Sequence, residues 1–538
     1  SAGSLRFVIE RQFNYPVTAI RTGNMSWANL SDYQVIILPS GNYARHLGAG
    51  GAENLKDTPE EVEAFTASLQ VEWDLGNWAL TSVTGYLDTD REAILEVDAS
   101  PNRLVEEYIK DGSEQFSQEL RLAATYDRLN WMIGANYQND EVTDSQTLGV
   151  FDASNNPTFP GLTPRYATAL NFTQQDVETQ AIFANMEYDV SDRLTLQGGV
   201  RYTDSKRDFS GCAQGDADLS ATFEFIQIAI NSQVFGTPSF VPITPGDCLT
   251  LTPLGATPDT SLIPTLVTDT LEEDNVSWRA GATFDFSENT LLYANIGKGY
   301  KSGSYPTLSG GFTAQYVPVT QESVLAYEAG FKSSFYNGRA QLNGAVFHYD
   351  YEDKQFRGKY FDPIFSVLDG LVNVPKSKIT GIEANLTVEP VNGLLINIGA
   401  TKLETEIEEG QGFNSVAEVV DFAGKPFPYT PETQIVADIS YERDLGSGNL
   451  SGFVGAGAVY QDSTNSSLGN EPLFDIEDYT LVDLRAGIRN PVDQWSLSVF
   501  ARNVTDEYYW TNVLRGQDST MRWTGLPATY GITLTKDF

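Results

Sequence analysis

The sequence predicts an all-β fold, a large antiparallel transmembrane β-barrel, and three observations carry that prediction. Apolar and polar residues alternate in run after run, short turns and long connections follow one another between the runs, and the polar face of the runs bears formal charges.

Alternation of period two places one set of side chains on each side of a strand. In "ATYGITLTKDF", Tyr530, Ile532, Leu534 and Phe538 share one face, opposite Gly531, Thr533, Thr535 and Asp537, and only Lys536 breaks the sorting. Leu194, Leu196, Val200 and Tyr202 oppose Thr195, Gln197, Arg201 and Thr203. Ile382, Ala384, Leu386 and Val388 oppose Glu383, Asn385, Thr387 and Glu389, and Val482, Leu484, Ala486 and Ile488 oppose Asp483, Arg485 and Arg489. A dry sandwich core has no place for such ions, whereas a water-filled or plugged lumen does. Runs at 174–190, 193–208 and 339–357 exceed the roughly 9–11 residues that cross a bilayer, so strands are expected to project beyond it.

The short turns are "DLGN" (74–77), "DRLN" (127–130), "DVSDR" (189–193), "DFSEN" (285–289), "YNG" (336–338), "PVNG" (390–393), "DLGSG" (444–448) and "NPVDQ" (490–494). Each sits between two strand-like runs, the pattern of hairpins. The long connections fall at 93–112, 144–173, 209–273, 303–320, 408–431 and 463–476. Short turns at one end and long loops at the other are the asymmetry of an outer-membrane barrel. About seventeen alternating runs lie between residue 62 and the end. Bacterial barrels have even numbers, so at least one earlier strand is expected.

Composition narrows the function classes. No apolar run reaches the roughly 18 residues of a membrane helix, and a mean hydropathy of -0.26 is compatible with a barrel, whose lipid-facing residues alternate with polar ones. A net charge of -38 excludes nucleic acid as a partner, because a phosphate backbone needs Lys and Arg opposite it. The two cysteines, Cys212 and Cys248, share one Pro- and Thr-rich stretch, which favours a disulfide clipping a loop in an oxidising compartment, with two free thiols as the alternative. "SAGSLRFVIERQF" lacks the basic start and apolar core of a secretory signal, so an exported protein is expected to be mature or incomplete in this form.

Catalysis finds little support. The two histidines, His46 and His348, fit no HExxH pattern and read as solvated or girdle residues, and "GAGG" (48–51) lacks the spacing of a phosphate loop. No catalytic residue, metal ligand or cofactor is expected. The better candidates are the lumen-side charges Glu119, Arg121, Arg201, Glu383, Arg485 and Arg489, set against a purely structural role as wall-to-wall salt bridges. Ligand choice is expected from the outer loops, especially 209–273, through aromatic side chains capping a bulky solute.

"FSQELRLAA" (116–124), "LLYANIGKGYKSGSYP" (291–306), "YEAGFKSSFYNGRAQLNGAVFHYDYEDKQ" (327–355), "KITGIEANLTVEP" (378–390) and "LRAGIRNPVDQWSLSVFARNVTDEYYW" (484–510), with the terminal Phe538, resemble the barrel of TonB-dependent outer-membrane receptors. The resemblance covers roughly 58–538 and implies a 22-stranded barrel around an N-terminal plug, of which this chain holds about seventeen strands. It implies uptake of a bulky, scarce nutrient such as an iron-siderophore complex across the outer membrane of a Gram-negative bacterium. Outer-membrane lipid and the barrel-assembly machinery are the implied partners, with TonB only where a plug is present; without one, energised transport is not expected. Residues 1–57 do not alternate in this way. "YQVIILPSG" reads as a buried parallel strand and Gly turn, and the segment resembles part of the glutamine-amidotransferase-like domain of M14-type zinc carboxypeptidases, a truncated α/β piece of foreign origin. The rival readings are an outer-membrane enzyme and a secreted glycan-binding β-protein.

Overall fold

The structure is a computed structural model that describes residues 60–96, 105–150, 166–307, 310–362, 366–446, 449–516 and 519–536. The expected α/β head at 1–57 and the terminal Phe538 lie outside the described residues.

Seventeen strands form one antiparallel sheet in chain order. They are β1 Glu60–Asp74, β2 Trp78–Glu96, β3 Val105–Thr125, β4 Leu129–Val150, β5 Thr168–Ser191, β6 Leu194–Gly215, β7 Val267–Ser287, β8 Thr290–Lys301, β9 Glu322–Phe335, β10 Ala340–Asp362, β11 Ser366–Val388, β12 Leu394–Glu409, β13 Thr433–Asp444, β14 Ser451–Gln461, β15 Tyr479–Asn490, β16 Trp495–Arg502 and β17 Thr529–Lys536. Even-numbered strands ascend from the short turns towards the long connections. Among the described residues β1 pairs only with β2 and β17 only with β16, so the sheet has two edges.

The turns follow from local chemistry. In "DLGN", the Asp74 carboxylate accepts the Gly76 amide at 2.8 Å, and Gly76 stands at φ 85, where a side chain would be strained. The register then sorts the faces. Leu80, Leu122, Ile133, Ala184, Val200 and Trp278 are successive cross-strand partners from β2 to β7 and form one apolar row. Tyr530, Ile532 and Leu534 belong to the same outer face on β17 and are among the most exposed apolar side chains of the protein. Apolar groups so exposed need hydrocarbon around them.

Nearly all the described residues of the connections expected at 93–112 and 144–173 are strand. Pairing continues from Glu92 with Lys110 and from Thr143 with Gln174, well past the apolar band. Out there neither face meets hydrocarbon, so side-chain sorting fades, yet each backbone amide still needs a partner and the ladder persists.

The connection expected at 209–273 holds a helix, α1 Ala217–Phe235, the one long helix among the described residues. Its signals are present in the sequence: Asp216 caps the Leu219 amide at 2.8 Å, Gly236 ends the helix at φ 73, and Leu219, Phe223 and Ile226 recur at helical spacing. They pack with Tyr166, Ala213, Leu249 and Leu251 into a buried core at the outer end of β4–β6. The other Asp216 oxygen takes the amides of Ala167 and Thr168 at 3.0 and 3.1 Å, so one carboxylate joins helix and β5. Asp216→Ala is expected to lower protection of the α1 amides by about 1–2 kcal/mol in hydrogen exchange, leaving the wall strands unchanged.

Candidate functional site: the lumen wall and its outer mouth

All six lumen-side candidates lie on the face opposite the apolar band, because each falls on the other parity of its strand. The structure gathers them into three groups. Glu119, Arg121 and Arg201 line a recess of about 490 Å³ with Phe183, Asn185 and Arg279. Glu119 and Arg121 pair along one strand at 3.1 Å. Arg201 donates to Asn136 at 2.9 Å and Thr203 at 3.0 Å, and Arg279 donates to Asn185 at 3.3 Å. Two of the three guanidiniums therefore take neutral partners, which leaves the recess basic.

Arg485 and Arg489 form the second group, on β15. Arg485 binds Asp438 of β13 through two bonds, at 2.7 and 2.8 Å, and Arg489 binds Glu442. The strand between them makes room. A Cβ on Gly455 of β14 would stand 2.7 Å from the Arg485 guanidinium carbon, so glycine is what lets the pair reach across. Both Arg485 and Asp438 keep about a third of their side chains in water, and the pair is worth about 1 kcal/mol or less. Asp438→Asn is accordingly expected to shift unfolding in urea by no more than that.

Glu383 of β11 stands apart from both sets. It shares a third group with Glu328 of β9, where Tyr293 donates to Glu328 and both carboxylates act on Tyr293 and Tyr349. Neither Glu328 nor Glu383 forms an ion pair among the described residues. Sequence reasoning missed Asp438, Glu442, Arg279 and Glu328, although all four share the polar parity of their strands.

At the mouth, connections fold back onto the wall. Cys212 and Cys248 form a disulfide that ties the end of β6 to the chain returning from α1. The connection at 216–266 contains no tyrosine or tryptophan; Phe209 and Phe223 are buried, so they support the cap, while Phe240 is exposed. Phe209 stacks on Tyr305 at 4.3 Å. Farther round, Lys354 stands 3.8 Å over the Tyr351 ring and 3.7 Å from Glu322, and Phe427 of the 410–432 connection closes on the same ammonium. A cation between aromatic faces fastens that connection to the wall.

Burial raises the carboxyls of Glu107, Asp111 and Asp144 on the β3–β4 arms beyond the bilayer, Asp144 most. Burial pushes Asp144 up to about 6. It stands directly across from Asp111, and the Oδ1 atoms of both are buried without a hydrogen-bond partner. A folded-state value above the ordinary one near 4 means that the folded protein holds this proton more tightly. Stability of the β3–β4 arms should therefore fall as pH rises from about 4 through about 6. Hydrogen exchange is expected to show about 1 kcal/mol more protection there at pH 5 than at pH 7, after allowance for solvent screening, and Asp144→Asn should reduce the difference, leaving the smaller part due to Asp111 and Glu107.

An apolar belt outside, ions and water inside, and long loops over one end describe an outer-membrane pore wall. The chain matches the TonB dependent receptor-like, beta-barrel family over residues 10–504. It is a TonB-dependent receptor barrel. The rhizobactin receptor of Rhizobium meliloti (strain 1021) is 23% identical over 399 residues, an alignment covering 68% of this chain and 44% of that protein. In fold, the barrel resembles the ferric yersiniabactin uptake receptor FyuA from Yersinia pestis, with a TM-score of 0.67 at 16% identity, covering 90% of this chain and 62% of that one. It also resembles the siderophore receptor PiuA from Acinetobacter baumannii, with a TM-score of 0.62 at 17% identity, covering 89% and 64%. The chain thus spans less than half of the curated relative and under two thirds of these solved chains. The TonB-dependent receptor barrel lies in the outer membrane of a Gram-negative cell, and these relatives are named as receptors, not as enzymes.

Proposed function

We propose that this barrel is the wall of a receptor that takes up a bulky, scarce nutrient of the ferric siderophore class, with energy from TonB passing through a plug in the complete protein. The observation that carries the reading is the inner wall. Its three charged groups face a water-accessible interior inside an apolar belt, which is the construction of a hydrophilic passage and not of a packed core. The names of the relatives supply the solute class. The arginine recess suits the carboxylate or catecholate edge of an anionic chelate, and the Glu328–Glu383 group suits a cationic side chain of a plug. Insertion by the barrel-assembly machinery and a surround of outer-membrane lipid belong to the same reading.

Uptake of radiolabelled ferric siderophores by iron-starved cells carrying the complete receptor tests it. Uptake is expected in cells with TonB and is expected to vanish in cells without it. TonB-independent accumulation, or none with any ferric chelate, would overturn the reading. Residues 1–57 are proposed to be a separate α/β piece joined to a receptor barrel at 58–538. The family match begins at residue 10, inside that piece, so the genomic sequence upstream of Thr58 decides the point: a plug and early strands running straight into Thr58 support a junction, and continuity with residues 1–57 refutes it.

A further inference from the structure

The inner wall uses one construction twice, with opposite results. On β14, Gly455 leaves a gap over which Arg485 of β15 reaches Asp438 of β13, and the two charges cancel. Gly199 of β6 leaves the same kind of gap between β5 and β7. Asn185, Gly199 and Arg279 lie in one cross-strand row, and a Cβ on Gly199 would stand 2.3 Å from Asn185 Oδ1. The Asn185 side chain therefore lies across the glycine, where it accepts from Arg279 at 3.3 Å. The far partner here is an amide, not a carboxylate.

Arg201 is held in the same manner. It spans β5 to donate to Asn136 of β4 at 2.9 Å, and its guanidinium stands 5.7 Å from the centre of the Phe183 ring. Phe183 in turn lies over Gly134, where a Cβ would be 2.4 Å from its Cζ. Glycine thus lets the ring lie along the wall, and the guanidinium rests beside it. Glu119, the one carboxylate that lines the recess, is taken by Arg121. Neither Arg201 nor Arg279 forms an ion pair among the described residues.

We propose that Asn136 and Asn185 are positioning residues that set the anion specificity of this recess. The inference rests on the recess being a contact of the ferric chelate. Acids outnumber lysines and arginines by 72 to 34 in this chain, and aspartate, the same size as asparagine, would grip a guanidinium more tightly. It would also spend the charge. An amide fixes the long arginine side chain, whose loose rotamers a ligand would otherwise have to order, and leaves the positive charge for an oxyanion. Arginine forks held in this way match the carboxylate or catecholate edge of an anionic chelate and give nothing to a cationic one.

Equilibrium binding to the complete receptor tests the proposal, with radiolabelled ferric citrate and ferric enterobactin as anionic probes and ferrioxamine B as a cationic one. The wild type is expected to bind an anionic probe. Asn136→Asp and Asn185→Asp are each expected to raise its Kd by about tenfold, although each variant gains an ion pair and should resist urea at least as well as the parent. In iron-starved cells the KM for uptake should rise with Vmax unchanged. A purely structural amide predicts the reverse: unchanged Kd, with any loss confined to Vmax through fewer folded receptors. Heat-modifiable migration confirms folding, and either variant carries the test alone should the other fail to fold. Equal or tighter binding of the anionic probe by a folded Asp variant would overturn the proposal, as would wild-type preference for ferrioxamine B. Failure of the wild type to bind any of the three would overturn the reading of the recess as a chelate contact along with it.

Discussion

Replacing Cys212 and Cys248 together by serine is expected to loosen the outer cap by about 4 kcal/mol while leaving the barrel standing. The estimate follows from loop closure: the bond spans a sequence separation of 36 residues, so the reduced chain gains a correspondingly larger set of open conformations. Position makes the effect local. Cys212 is fully buried at the end of β6, and next to Cys248 the Leu249 amide bonds the Ala213 carbonyl at 2.8 Å. The Thr250 hydroxyl takes the Ala213 amide at 2.9 Å and donates to Gly310 at 2.9 Å. These bonds form one patch where β6, the return from α1 and the 302–321 connection meet. Opening the patch loosens α1, which then keeps only its contacts with the ends of β4 and β5 around Val150, Tyr166 and Ala169, whereas β6 keeps its ladders with β5 and β7 through the band. Limited proteolysis should therefore cut within 216–266 in the double variant and spare it in the parent, with heat-modifiable migration equal in both. Unchanged protease resistance would show that the hydrophobic core around Phe223 holds the cap without the staple.

The wall was readable from the sequence because its physics is periodic. Ile382 against Glu383, or Leu484 against Arg485, states which medium each side of the strand meets, and the register repeats the statement across every hairpin. What escaped lies where that rule stops. Beyond the band neither face of β3 and β4 meets lipid, so the arms to Val150 carried no alternation and resembled loop. The helix at Ala217–Phe235 had a cap at each end, but it sat inside a Thr- and Pro-rich stretch whose composition pointed to coil. The partners of the candidate site depended on register across strands. Arg485 finds Asp438 two strands away, over Gly455, and no spacing along one chain segment encodes that meeting.

Arginine at Ile398 should destabilise the barrel by about 2–4 kcal/mol, whereas arginine at Val436 should cost little. The comparison isolates the one property on which the membrane assignment stands. Both are β-branched aliphatic residues on neighbouring strands, β12 and β13, and both are exposed, at 40% and 52%. They differ in the face they occupy. Ile398 is paired with Leu386 and Ala437 in the apolar belt, while Val436 shares its parity with Asp438 on the charged wall. In water the two substitutions would be equivalent surface changes, each within about half a kcal/mol. In a bilayer the guanidinium at 398 must be drawn towards an interface or carry water with it, and the one at 436 is already wet and lies near a carboxylate. Urea unfolding in lipid vesicles measures the difference between the variants directly. Equal costs at the two positions would mean that hydrocarbon does not surround this sheet, and the charged inner wall would then have to be explained without a lumen.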